Sequence, residues 1–364
     1  MFFKFFLLSS LIVSINLGAF EDLEVKDPNV LGINQSDIDT LFDLSFEDDS
    51  TQSVTLLKNG YLIGERYANG FDKDSFGTSW SMAKSFYAAL ILISIDKGEI
   101  KSLDQKVSDF LPYFDDDRSV ITIRQILNMS SGLQYPDHQH ETMFFRKDHL
   151  KYSRNVKLEK EPDTLFEYNN VNSMLLGEIL ETATGKKADI LLEERILNKI
   201  GVEKKTLWRD EAQNILTYCC IDMTARDFLK IGQLLLNDGL WNGERILSSA
   251  YVQQIKDLTT YGLKFWYTPE AIFSSPNPSF NKLISAVGFD GQYVFIDFEN
   301  KMLISRNSLY YPSLDISEVR KMSAGTLGST NFTVTAPTII TTNGETRLTQ
   351  VFSPTQMINF LYTQ

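Results

Sequence analysis

A chain of 364 residues with 43% hydrophobic content can bury a large core, as one sizeable domain or two subdomains. Its formal charge of −12 argues against nucleic acid and against an anionic membrane surface as partners. The only cysteines, Cys219 and Cys220, are neighbours, which excludes the disulfide framework of small exported domains and a cysteine zinc site.

The chain opens on "MFFKFFLLSSLIVSINLGA", one lysine followed by about fifteen apolar or small residues, with Ala19 before the acidic "FEDLEVKD". That is the layout of a secretory signal, too short and too weakly flanked for a spanning helix. No cysteine follows it, so no lipid anchor is expected there. Cleavage near Ala19 would remove Lys4, leave a mature charge of −13 and place the protein in the periplasm or outside the cell. Residues 20–364 are then expected to form a single domain, with no membrane contact beyond the cleaved leader.

Next comes "SVTLLKNGYLIGERYANG", which alternates apolar and polar residues around Asn59-Gly60, the strongest short hairpin signal. "SMAKSFYAALILISI" follows, apolar nearly all round, as a buried helix is. Four amphipathic helices are then expected in "ITIRQILNM", "NNVNSMLLGEILETATG", "KADILLEERILNKIG" and "TARDFLKIGQLLLNDG", several stopping at glycine. Between the last two lies the cysteine pair. A bond between neighbours needs a strained ring, so two buried thiols near a turn are the expectation. "YGLKFWYT" reads as a strand, and its aromatics as core. "SAVGFDGQYVFIDFENKMLISRNS" reads as two more strands joined at "ENK". Residues 313–350 fit no clear element, and "SPTQMINFLYTQ" closes the chain as a short helix with Ser353 as cap and Pro354 in the first turn. Strands early and late with helices between them predict one antiparallel sheet built from both ends of the chain. The sheet subdomain is expected at about 45–80 and 255–364, the helical subdomain at about 100–250.

Three places carry chemistry. Ser81 and Lys84 are three apart, on one helical face a turn from each other. Burial and the positive end of the helix dipole both disfavour the charged lysine, leaving a neutral amine to take the serine proton. The spelling alone is weak, since Ser279 and Lys282 repeat it in a loop. Tyr168-Asn169-Asn170 stands before an apolar-periodic helix, where a loop holds polar groups into a cleft; Tyr168 can relay a proton, and the Asn170 amide can hold Lys84 and a substrate carbonyl. The same spelling recurs as Tyr67-Ala68-Asn69 in the hairpin. Finally, Gly291 beside Phe289-Asp290 permits close approach of a substrate, and the amides of Ser81 and Gln292 could form an oxyanion hole.

Ser81-Met82-Ala83-Lys84, Tyr168-Asn169-Asn170 and Phe289-Asp290-Gly291, in that order, resemble the three motifs of the serine β-lactamase and penicillin-binding-protein superfamily. The Tyr-x-Asn form resembles the class C-like branch, which includes class C β-lactamases, D-alanyl-D-alanine carboxypeptidases, family VIII-type esterases and 6-aminohexanoate-dimer hydrolases. "ITIRQILNMSSGLQY" and "MTARDFLKIGQLLLNDGLWNGERILS" are similar to that family too. The resemblance implies an α+β, β-lactamase/transpeptidase-like fold, with a five-stranded antiparallel sheet flanked by helices and an inserted helical subdomain. It implies Ser81 as acylated nucleophile, Lys84 as its base, Tyr168 as second proton-transfer group and Asn170 as hydrogen-bond partner of Lys84 and substrate. No cofactor and no metal are implied; the partner is a small-molecule ester or amide.

One position departs from the pattern. The third motif usually begins with lysine or histidine, and here it begins with Phe289. A phenyl ring cannot hold a substrate carboxylate, which favours an uncharged ester or amide over β-lactamase or carboxypeptidase activity. Arg306, on the next strand, is a candidate replacement cation. A non-catalytic relative that binds cell-wall fragments or a protein is the alternative from another class. His138, His140 and His149 cluster in "YPDHQHETMFFRKDHL", read as a charged surface loop in preference to a metal site.

Overall fold

The computed structural model describes residues 22–48, 50–135, 143, 146–267, 283–308, 340–342 and 345–347. The leader, His138, His140, the Ser279–Lys282 loop and the closing helix fall outside these residues. So does most of the 313–350 segment, of which a hairpin pairing residues 340–342 with 345–347 is described. No helix among the described residues is long and apolar enough to cross a membrane.

Helix α1 (Gln35–Ser45) precedes the hairpin of β1 (Thr51–Lys58) and β2 (Tyr61–Tyr67). Asn59 and Gly60 turn it with φ of 51° and 88°, the two left-handed residues that match the twist of the strands. A short β3 (Phe76–Thr78) leads through a 3-10 turn at Trp80–Met82 into α2 (Ala83–Asp96). The helical stretch holds α3 (Ile123–Asn128), α4 (His149–Arg154), α5 (Asn170–Thr184) and α6 (Ala188–Leu192). Strands β4 (Thr206–Leu207) and β5 (Ile221–Thr224) then pair with β3 in a three-stranded sheet, in the order β3-β5-β4. Helix α7 (Ala225–Leu236), the β6 (Leu240–Trp241) and β7 (Glu244–Arg245) hairpin and α8 (Ser249–Lys256) follow.

The chain returns to the main sheet with β8 (Trp266–Tyr267), β9 (Leu283–Gly288), β10 (Gln292–Asp297) and β11 (Met302–Ser308). The order is β2-β1-β11-β10-β9-β8, all antiparallel, so both ends of the chain build one sheet. It has six strands where five were expected. The sixth is β8, in which Trp266 and Tyr267 pair with Ser285 and Ile284 at the edge.

Both faces of this sheet are covered, and the period of two sorts the side chains between them. Val54, Leu56, Phe295, Met302 and Ile304 pack with Ile38 and Phe42 of α1. Leu57, Val294, Ile296 and Leu303 point the other way, into the larger core with α2, α5 and α7. Gly232 lets α7 lie close against the sheet, because a Cβ there would come within 2.7 Å of the Leu303 side chain. On that same side, α2 is buried along nearly its whole length. It therefore carries its first turn, and the Trp80–Met82 turn that precedes it, to the edge of the sheet.

Candidate active site

Ser81 sits in the 3-10 turn and not in the α-helix proper, but one turn still separates it from Lys84 in α2. Lys84 Nζ lies 2.8 Å from Ser81 Oγ and donates to the Tyr218 carbonyl at 2.6 Å. Trp80, just before Ser81, takes a φ of 42°, a backbone that a bulky residue holds only under constraint. The constraint is visible. The Trp80 carbonyl accepts from the Cys220 amide at 3.3 Å and from Ser79 Oγ at 3.0 Å, while the indole packs on Trp208 and Phe289.

Lys84 is buried, and burial pushes its amine well below the ordinary lysine value of 10.5. A neutral amine has a lone pair for the serine hydroxyl proton. Tyr168 is shifted the opposite way. Burial raises its hydroxyl, the neighbouring Tyr135 adds to the rise, and a hydrogen bond with the Ser81 side chain opposes it. The Tyr168 ring lies 5.0 Å from Lys84 Nζ and stacks on Trp266, which Tyr261 meets edge-on at 4.7 Å. Aromatic residues expected in the core thus border the site.

The start of α5 holds Tyr168 in place. Asn169 caps that helix, its side chain accepting from the Val171 amide at 2.9 Å and donating to the Leu133 and Gln134 carbonyls. Asn170 is buried as the first residue of α5. The described hydrogen bonds of Lys84 Nζ run to Ser81 and Tyr218, with Asn170 not among them.

The third motif forms the tight connection between β9 and β10. It is pressed against the Trp80–Met82 turn: a Cβ on Gly288 would fall 2.3 Å from the Ser79 carbonyl, and the Phe289 ring meets Trp80 edge-on at 5.7 Å. Phe289 is 40% exposed. Gly291 has a φ of 80°, and a Cβ there would strike Arg306 Nη1. The Gly291 carbonyl accepts from that same nitrogen at 2.8 Å. Carbonyl and N–H of one trans peptide point in opposite directions, so this bond aims the Gln292 amide away from Arg306. The Gln292 side chain is occupied elsewhere, bonded to the Ser308 backbone.

Three expectations need correction here. Arg306 is 1% exposed and enclosed by Asp48, Ser50, Thr51 and the Gly291 carbonyl, so it does not replace the missing substrate cation. Cys219 and Cys220 are not two thiols but a buried disulfide, made at a turn where Cys220 has a φ of 78°. Moreover, His149 is no surface residue: it is buried, with Nδ1 3.0 Å from the Tyr218 hydroxyl. Sequence reasoning also missed Tyr218 itself and a second buried lysine. Lys264 donates to the Ile126 carbonyl at 2.5 Å, and its own carbonyl accepts from Ser85 of α2. Among the described residues no three His, Cys, Asp or Glu side chains converge as a metal set.

Comparison with known proteins agrees with this geometry. Residues 51–308 match the family model described as Beta-lactamase. The 6-aminohexanoate-dimer hydrolase of Paenarthrobacter ureafaciens is 22% identical over 314 residues, 77% of this chain and 78% of that one. Penicillin-binding protein 4 of Amycolatopsis lactamdurans is 25% identical over 230 residues, and the match spans 53% of this chain and 59% of that one. A family VIII carboxylesterase shares the fold with a TM-score of 0.62 at 17% identity, covering 80% of this chain and 96% of its own. A serine–lysine pair at the sheet edge, a tyrosine over both and a family match across most of the chain give one answer: the chain belongs to the Beta-lactamase family of serine hydrolases.

Proposed function

We propose that this enzyme is an exported hydrolase that cleaves a small, uncharged ester or amide through an acyl-enzyme on Ser81. The observation that carries the reading is the opposite displacement of two proton-transfer groups around one serine. Burial pushes the proton affinity of Lys84, 2.8 Å from Ser81 Oγ, well down, and pushes the Tyr168 hydroxyl up. Lys84 takes the hydroxyl proton as Ser81 attacks the carbonyl, and Tyr168 relays a proton to the leaving group. The amides of Ser81 and Gln292 receive the oxyanion, with Asn170 against the substrate carbonyl. The leader of residues 1–19 supports export to the periplasm or beyond.

The substrate class follows from Phe289. Its half-open ring gives the third motif an apolar edge where relatives with a cation hold a carboxylate. Phe289→Lys is expected to raise kcat/KM about tenfold or more for an ester bearing a carboxylate beside the scissile bond, with little change for its neutral counterpart. An equal response of the two esters would remove Phe289 as the selector.

Acylation is tested by intact mass after incubation with a fluorophosphonate. One adduct on the wild type, and none on Ser81→Ala, is expected. No adduct on either protein would instead support a binding relative. Penicillin adducts at a comparable rate would support the penicillin-binding alternative over an uncharged substrate.

A further inference from the structure

The sequence between Leu216 and Ile221 does more than connect two elements. Its backbone supplies the Lys84 acceptor at Tyr218, and two residues later it clamps the nucleophile turn. The Cys220 amide donates to the Trp80 carbonyl at 3.3 Å, and the Ile221 backbone bonds Ser79 in both directions, at 2.8 and 2.9 Å. Ser81 and Lys84 are thus both referenced to one short segment. At its centre Cys219 and Cys220 are joined, buried, with Cys220 in the left-handed region that a non-glycine residue avoids. Outside the ring, the segment is fixed at the Tyr218 hydroxyl by His149 and at the Cys220 carbonyl by the Trp208 amide.

We infer that the Cys219–Cys220 disulfide is a positioning device for the proton transfer at Ser81, holding the Tyr218 carbonyl against Lys84. Covalent closure between adjacent residues removes the backbone freedom that lies between the Lys84 acceptor and the Trp80 clamp. The Tyr218 carbonyl matters most when Lys84 has just received the serine proton, because a carbonyl accepts more strongly from an ammonium than from an amine. Its misplacement therefore raises the barrier to acylation more than it weakens substrate binding. It also makes Lys84 harder to protonate. This role for the disulfide rests on the hydrolase reading.

The test begins with the full chain, denatured in iodoacetamide with and without prior reduction by a dithiol. Reduction moves two electrons and two protons from the dithiol to the S–S bond, giving two cysteine thiols and an oxidised, cyclic reductant. The expected count is no alkylated cysteine without reduction and two with it. Cys219→Ser/Cys220→Ser is then compared with Cys219→Ser/Cys220→Gly, in which glycine accepts the left-handed backbone without strain. Both are expected to lose kcat by about 10- to 100-fold, with KM within about twofold and the acid limb of the pH–kcat profile moved to lower pH. A merely structural bond would lower the melting temperature and leave that limb in place.

Two alkylated cysteines in the unreduced protein would overturn the inference and leave the hydrolase reading intact. So would a folded serine–glycine variant with wild-type kcat and pH profile. Absence of a fluorophosphonate adduct on the oxidised wild type would overturn both.

Discussion

Lys84→Met is expected to lower kcat/KM by about 10²- to 10⁴-fold and, at the same time, to raise the melting temperature. The two effects have one cause. Lys84 is fully buried and its described acceptors are a hydroxyl and a carbonyl, with no carboxylate in an ion pair with it. Burial therefore pushes its proton affinity down with nothing to offset it. Methionine keeps the length and the apolar stem and removes the amine that the core tolerates poorly. The pH dependence has a definite sign. Below about 10.5 the unfolded chain binds a proton at this lysine that the folded chain, with its lowered affinity, resists. The stability associated with Lys84 is complete above the unfolded value and is lost as pH falls through the folded one. The stability advantage of the methionine variant should consequently be largest at low pH and shrink toward alkaline pH. Thermal melts of both proteins across pH, beside kcat/KM for a neutral ester, check this. Equal melting temperatures at every pH would mean that the lysine is not held against its solvation. Lys84→Arg is the companion variant: an always-charged side chain cannot take the serine proton, so it should be as inactive as methionine and less stable.

Much of this site was legible because it is written in side-chain spacing. Ser81 and Lys84, three apart at the mouth of an apolar run, come within 2.8 Å once that run folds as a buried helix, and Asn59-Gly60 turns the first hairpin as its spelling announces. The Tyr218 carbonyl was illegible for the opposite reason, since a backbone acceptor leaves no signature in residue type. The disulfide was misread because the turn that closes it depends on one left-handed residue, Cys220, that spacing does not announce. Arg306 is different: its position could have been read. Met302, Ile304 and Arg306 alternate on one face of β11, and Met302 and Ile304 pack toward α1. The nucleophile turn and α2 lie with the larger core on the opposite face. The period of two thus points Arg306 away from the core that holds Ser81, toward a job in tying the start of β1 to the β9–β10 connection.

That job gives the second large effect. Arg306→Met is expected to destabilise the protein by about 3–5 kcal/mol, the usual consequence of leaving one buried charge of a pair alone. The stranded group is Asp48, buried and 3.3 Å from Arg306 Nη2. A second loss is expected in the fraction that still folds. Without Arg306 Nη1 the Gly291 carbonyl is no longer held, and the peptide that it shares with the Gln292 amide can turn. If that amide receives the oxyanion, kcat should fall toward the 10²- to 10³-fold range that accompanies removal of one such donor. The double variant Asp48→Asn/Arg306→Met separates the two roles, because neutralising the carboxylate removes the charge that was stranded. Recovery of the melting temperature without recovery of kcat would establish that Arg306 aims the Gln292 amide as well as balancing Asp48. Recovery of both would reduce Arg306 to a partner of Asp48, and the oxyanion hole would have to be built from other donors.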